Sequence, residues 1–162
     1  YRGREYASRM SAGTAHARLG DMTEMHLRTT DDLGPLVRTL LQHSPRCLAL
    51  TGPLGAGKTT LTQVLAKQLG VRESVTSPTY ALQHVYTTHH KAYDTLVHVD
   101  CYRLKNPDQE LPALDLEHWL QQPRTLVVIE WAERIKKFLA GREVTWVTLT
   151  LERDNTRRVR VS

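Results

Sequence analysis

Residues 48–60 read Leu48-Ala49-Leu50-Thr51-Gly52-Pro53-Leu54-Gly55-Ala56-Gly57-Lys58-Thr59-Thr60, an apolar run that ends in Gly-x-x-x-x-Gly-Lys-Thr and opens into a helical pattern. A turn of small residues lets successive backbone N–H groups point at the phosphates of a nucleotide, and the helix behind it adds the positive end of its dipole. Lys58 can reach the β- and γ-phosphates as a mobile point charge, and the Thr59 hydroxyl stands where a Mg²⁺ ion bridging those phosphates takes an oxygen ligand. Gly52, Gly55, Ala56, Gly57 and Thr60 complete the cradle. The flanks agree: an apolar strand precedes the motif, and Leu61, Val64, Leu65 and Leu69 mark an amphipathic helix after it. The stretch reads as a phosphate-binding loop rather than a glycine-rich turn with an incidental lysine.

Such a loop needs an acidic residue at the end of a neighbouring strand to hold Mg²⁺, directly or through water. Leu96-Val97-His98-Val99-Asp100 and Leu126-Val127-Val128-Ile129-Glu130 each end an apolar run with a carboxylate. Ligands gather at the carboxyl ends of strands in open α/β sheets, so Asp100 and Glu130 both face the loop if their strands run parallel to its own. The alternative is that each caps a strand end in solvent. Val75-Thr76-Ser77-Pro78-Thr79 follows the loop's helix. Its hydroxyls on Thr76, Ser77 and Thr79 and its stiffening proline make it a candidate γ-phosphate-sensing switch, or an ordinary Ser/Pro turn.

A chain of 162 residues can bury one sizeable core and is too short for a second catalytic domain. No stretch approaches the roughly 18 consecutive apolar residues of a membrane span. A net charge of +5 permits polyanion binding, although a phosphate site already uses some of it. Cys47 and Cys101 have neither the number nor the spacing of a disulfide framework or zinc site, which points to a reduced, cytoplasmic compartment. No two of the eight histidines fall on one helix face beside an acid, so they read as solvated loop residues rather than metal ligands. Residues 1–24 are rich in Arg, Ser, Ala and Gly and lack the apolar core of a secretory signal. They are expected to be a flexible leader, with Met22 or Met25 as the true start, and residues 25–162 a single P-loop ATPase domain.

His26-Leu27-Arg28 predicts a short strand, and Thr30 the cap of a helix carrying Leu33, Leu36, Val37, Leu40 and Leu41. Arg46 to Thr51 feeds the loop, and Thr59 to Leu69 is the helix after it, stopped by Gly70. Strands are expected over Thr79 to Thr87, Leu96 to Val99 and Thr125 to Ile129, the last buried on both faces. Short helices are expected over Asp115 to Gln121 and Glu133 to Ala140. Val144 to Leu151 and Arg157 to Val161 form a hairpin turning at Asp154-Asn155. The sum is an α/β, P-loop NTPase-like three-layer fold whose mixed central sheet has parallel core strands and a C-terminal antiparallel hairpin.

Gly52 to Thr60, Thr76-Ser77-Pro78-Thr79-Tyr80, His98-Val99-Asp100-Cys101-Tyr102-Arg103-Leu104 and Ile129-Glu130-Trp131-Ala132-Glu133-Arg134 together resemble the TsaE (YjeE) family, from about Thr30 to the C-terminus. These are small bacterial ATPases of tRNA threonylcarbamoyladenosine synthesis. The resemblance implies an ATP- and Mg²⁺-dependent ATPase, weak alone, that works with TsaB and TsaD. TsaD transfers threonylcarbamoyl to an adenosine next to the anticodon of tRNAs reading ANN codons, so tRNA is met indirectly, through the complex. It implies that Gly55 to Thr60 hold the phosphates and that Thr59 and Glu130 coordinate Mg²⁺. Asp100 is then the essential acid near the γ-phosphate and acts with Lys58 and Glu130, Trp131 and Arg103 lie beside the site, and Ser77 and Thr79 fall in a switch-like segment. Alone, the chain is expected to be a monomer or weak oligomer. Pro53 stands where an Asp is common, Ala132 replaces a frequent Pro, and Asp115 a frequent Gly; none of these removes a phosphate or metal ligand.

The enzymatic alternative is a small-molecule or nucleoside kinase, which needs an acceptor pocket and usually an arginine-bearing lid. Arg103 and Arg134 belong to the family motifs, and Arg153, Arg157 and Arg158 lie in the predicted hairpin. With Arg160, those hairpin residues either keep a sheet edge soluble or approach tRNA phosphates. No Asn-Lys-x-Asp string for reading guanine and no Leu-Ser-Gly-Gly string of an ABC-type ATPase occurs. From another class comes a nucleotide-gated binding module, in which occupancy sets a conformation that a partner reads.

Overall fold

Alternation with a period of two decides how the central strands are buried, because successive side chains leave a strand on opposite faces. The computed structural model describes residues 24–162; residues 1–23, all but the last of the expected leader 1–24, lie outside the described residues. Strands β1 (Met25–Leu27), β2 (Cys47–Thr51), β3 (Gln83–Thr87), β4 (Thr95–Asp100), β5 (Thr125–Glu130), β6 (Thr145–Leu151) and β7 (Arg157–Val161) form one sheet in the order β1-β7-β6-β2-β5-β4-β3. β6, β2, β5 and β4 run parallel, while β3, β7 and β1 pair antiparallel with their neighbours. This is the mixed sheet with a parallel core and a C-terminal hairpin that the sequence predicts.

Helices α1 (Leu33–Gln42) and α2 (Lys58–Gln68) cover one face. There Leu48, Leu50, Leu96, Leu126 and Val128 from the strands meet Leu36, Leu40, Leu61 and Leu65 from the helices. The alternate residues Ala49, Val97, Val99, Val127 and Ile129 pack on the other face. They meet the short helices α4 (Leu116–Gln121) and α5 (Lys136–Leu139) and the 3-10 turns Leu111–Leu114 and Ala132–Ile135, while α3 (Pro107–Glu110) buries no residue. All six β5 residues are buried, as the apolar run at Thr125 to Ile129 predicts. Each fully buried leucine contributes roughly 1.5–3 kcal/mol relative to exposure, so the two cores fix the strand order firmly. The same alternation puts His98, Asp100 and Glu130 on the α2 face, and the β4–β5 register sets Asp100 directly opposite Glu130.

The strand expected from Thr79 begins only at Gln83, because residues 79–82 turn and Leu82 is left-handed at φ 65°. Its carbonyl then accepts the Asp100 N–H at 3.0 Å. Thr30 does not cap a helix; it begins a 3-10 turn, Thr30–Asp32, that leads into α1. Asp32 supplies the cap by accepting the N–H groups of Arg28 and Thr29 at 2.8 and 3.0 Å, and the Thr29 and Arg28 backbone bonds hold its carboxyl below the usual carboxylate range. The helix expected over Glu133 to Ala140 is split into a 3-10 turn and one turn of α-helix. Among the described residues, no helix is long and apolar enough to cross a membrane.

Candidate functional site

The loop between β2 and α2 takes its shape from glycines in backbone conformations that L side chains rarely adopt. Gly57, at φ 103°, turns the chain into α2, and Gly52, at φ 135°, lies so close to β6 that a Cβ there would stand 2.2 Å from the Leu149 carbonyl oxygen. The first N–H groups of α2 have no intrahelical acceptor and face the loop's concavity.

Beside this turn lies an open cleft of about 420 Å³. It is lined by Leu54, Gly55, Gly57, Lys58, Thr59, Thr60, Ser77, Thr79, Asp100, Tyr102, Glu130, Trp131 and Arg157. The structure therefore brings together most of the residues singled out in the sequence. Lys58 Nζ donates to the carbonyls of Gly52 and Pro53 at 2.6 and 2.9 Å and lies 3.8 Å from the Trp131 ring centroid. Burial pushes its ammonium below the usual lysine value, and the charges of Glu130, Glu133 and Asp100 push it back up. Thr59 Oγ1 donates to Glu130 Oε2 at 2.9 Å. Two hard oxygens thus converge at the cleft, and this donor set suits Mg²⁺, which takes one or two protein oxygens and fills its octahedron with phosphates and water.

Asp100 sits at the centre of a second group. Its Oδ2 accepts from Ser77 Oγ at 2.6 Å and Thr79 Oγ1 at 2.8 Å, and its Oδ1 accepts the Tyr102 N–H at 2.9 Å. The 76–79 segment is thereby tied to β4 through its hydroxyls. Trp131 follows Glu130 in a left-handed conformation, φ 56°, which costs a non-glycine residue roughly 1–2 kcal/mol. Its ring is held against Tyr102 at 4.9 Å between centroids as well as against Lys58.

Other named residues fall outside the lining. Ala56 is fully buried in the α1–α2 core, Thr76 is exposed, and Arg103 stacks over the exposed Tyr80 ring at 4.1 Å. The histidine reading needs correction, because His26, His84 and His98 lie in strands and His118 in α4, and His98 is not solvated at all. It is wholly buried in β4, and its Nε2 lies 2.8 Å from Glu130 Oε1. The signal was present in the period of two, since a residue two before Asp100 on a strand shares its face. Arg157, placed only in a hairpin by sequence, reaches the cleft because β7 pairs between β1 and β6.

A parallel-core sheet with a glycine-shaped loop between strand and helix, and acids ending the two strands beside it, defines a P-loop NTPase-like fold. A crystal structure of YdiB from Bacillus subtilis shares that fold, with a TM-score of 0.66 over 85% of this chain and 82% of that one at 22% identity. The family model of the threonylcarbamoyl adenosine biosynthesis protein TsaE matches residues 25–159, and the chain belongs to the TsaE family. Relatives carrying the name tRNA threonylcarbamoyladenosine biosynthesis protein TsaE include those of Streptomyces coelicolor, Mycobacterium tuberculosis and Treponema pallidum. The first is 46% identical over 52% of this chain and 55% of its own length, and the second 36% identical over 60% of each. The third is 34% identical over 80% of this chain and 90% of its own. The chain thus spans little more than half the length of the first two.

Proposed function

We propose that this chain binds ATP with Mg²⁺ in the 420 Å³ cleft and hydrolyses it as the ATPase component of tRNA threonylcarbamoyladenosine biosynthesis, acting with TsaB and TsaD to support repeated threonylcarbamoyl transfer in the cytoplasm. The observation that carries the reading is the convergence of Lys58, Thr59, Asp100 and Glu130 on one cleft beside the loop, in a chain whose relatives bear that pathway's name. Loop N–H groups from Gly55 to Thr60 hold the phosphates. Lys58 exchanges two carbonyls for phosphate oxygens, which regain the full charge interaction that burial alone does not offer it. Thr59 and Glu130 hold Mg²⁺, which when bound neutralises charge on the β- and γ-phosphates.

Asp100 already accepts three hydrogen bonds and retains capacity for one more, from an attacking water. Ser77 and Thr79 offer their hydroxyls either to Asp100 or to a γ-phosphate, so hydrolysis changes what ties the 76–79 segment down. That segment is the element a partner reads. The test is ATP hydrolysis by the purified chain, alone and with TsaB and TsaD, with tRNA threonylcarbamoylation followed in the same tube. Stimulated hydrolysis and multiple-turnover modification are expected, both lost in Lys58→Ala. Phosphorylation of a small acceptor by the chain alone would overturn the reading in favour of a kinase.

A further inference from the structure

We infer that His98 positions Glu130 for the metal, its Nε2–H holding Oε1 so that Oε2, beside the Thr59 hydroxyl, is the oxygen Mg²⁺ meets. The inference rests on the ATP and Mg²⁺ reading above and names a residue that acts on that site from behind. His98 is not part of the cleft's lining; it stands in the sheet interior and reaches the cleft only through Glu130.

The ring has a fixed place. His98 lies within β4, its backbone opposite His84 of β3 and Val128 of β5, and none of its surface is exposed. Glu130 stands two residues beyond Val128 on the same face, a diagonal that long side chains can span. Nε2 lies 2.8 Å from Oε1, and the other carboxylate oxygen, Oε2, accepts from Thr59 Oγ1 at 2.9 Å. One oxygen is thus committed to the sheet interior and the other to the phosphate loop.

The position of the ring proton follows from the partners. Nδ1 is buried with no hydrogen-bond partner. A proton there would be a donor stranded away from water, a rarer and costlier defect than a bare lone pair. The proton therefore sits on Nε2 and is donated to Glu130. Without that bond the carboxylate can turn and offer either oxygen or both; with Oε1 held, the choice is made before the ion arrives. Mg²⁺ demands near-ideal octahedral geometry, so a ligand already aimed raises its affinity. Hydrogen-bond partners behind a metal ligand are worth roughly 10–100-fold in metal affinity.

The test uses an ATP analogue that cannot be hydrolysed, bound at saturation to the wild type, His98→Gln, His98→Asn and His98→Leu. Mn²⁺, standing in for Mg²⁺, is titrated in and the free ion is counted by its electron paramagnetic resonance signal. A glutamine amide nitrogen reaches the position of Nε2, whereas an asparagine amide reaches only that of Nδ1. His98→Asn and His98→Leu are expected to weaken Mn²⁺ binding by about tenfold, and His98→Gln to keep most of it. In EDTA all four should bind the analogue equally. Unchanged Mn²⁺ affinity in His98→Asn and His98→Leu overturns the inference, and so does His98→Gln binding as weakly as His98→Leu. An equal loss of analogue affinity in EDTA would make His98 a structural residue alone, which also overturns it. Nitrogen chemical shifts of the wild-type imidazole need no variant to fold: the proton is expected on Nε2 with and without the analogue and Mg²⁺, and a proton on Nδ1 overturns the inference. A wild type that binds the analogue neither with Mg²⁺ nor in EDTA overturns the ATP reading itself and this inference with it.

Discussion

Replacing His98 by leucine isolates how Glu130 is held. Glu130 is 2% exposed, so water cannot take over a lost partner, and its two oxygens are divided between His98 at 2.8 Å and Thr59 at 2.9 Å. Leucine is close to the imidazole in volume, so no cavity is left, and two polar terms change: the bond to Glu130 is lost, and so is a buried Nδ1 that has no hydrogen-bond partner. Leaving a buried carboxyl oxygen without its partner costs roughly 1–3 kcal/mol and removing the unpartnered Nδ1 returns part of that, so His98→Leu should cost about 1–2 kcal/mol. That is a large part of the ~5–15 kcal/mol available to a domain. Equilibrium urea unfolding without nucleotide gives the number. The double variant is the sharper test: once Glu130 is gone His98 has no partner left to lose, so His98→Leu should cost less in a Glu130→Leu background than in the wild type. Losses that simply add, within about 0.5 kcal/mol, would refute the coupling.

Two further outcomes follow from single contacts. Gly52→Ala meets the Leu149 carbonyl at 2.2 Å, a backbone atom in a strand that β2 itself pairs with, whereas Gly55→Ala meets nothing within 4 Å. Thermal unfolding should show Gly52→Ala costing roughly 3 kcal/mol or more and Gly55→Ala only the ~1–2 kcal/mol of a left-handed side chain; equal losses would show that the β6 contact does not limit the loop. Burial pushes the thiols of Cys47 and Cys101 up to about 12, so the native protein should not react with an aromatic disulfide reagent at pH 8, while the unfolded chain shows two thiols. Because the folded state keeps protons that the unfolded state releases above the ordinary thiol value, stability should fall as pH climbs from about 9 towards 12. Rapid labelling of the native protein would contradict both points.

The sequence alone determined the phosphate loop, the helix after it, the period-two runs of the core strands and the acids that end two of them. Each of these is set by residues within a few positions of one another, so local spacing is enough to read it. The β6-β2-β5-β4 order was not local. It places Asp100 opposite Glu130 through hydrogen bonds between strands some thirty residues apart, and no window of sequence carries that information. The same holds for the hydroxyls of Ser77 and Thr79, which meet Asp100 from more than twenty residues away. His98 became a partner of Glu130, and Arg157 a neighbour of Gly57, only once β4 met β5 and β7 met β1 and β6. Local spacing sets which groups a strand or turn presents and to which face; which of those groups meet depends on long-range pairing and on the packing of two separate cores, which is where the tertiary structure decided the site.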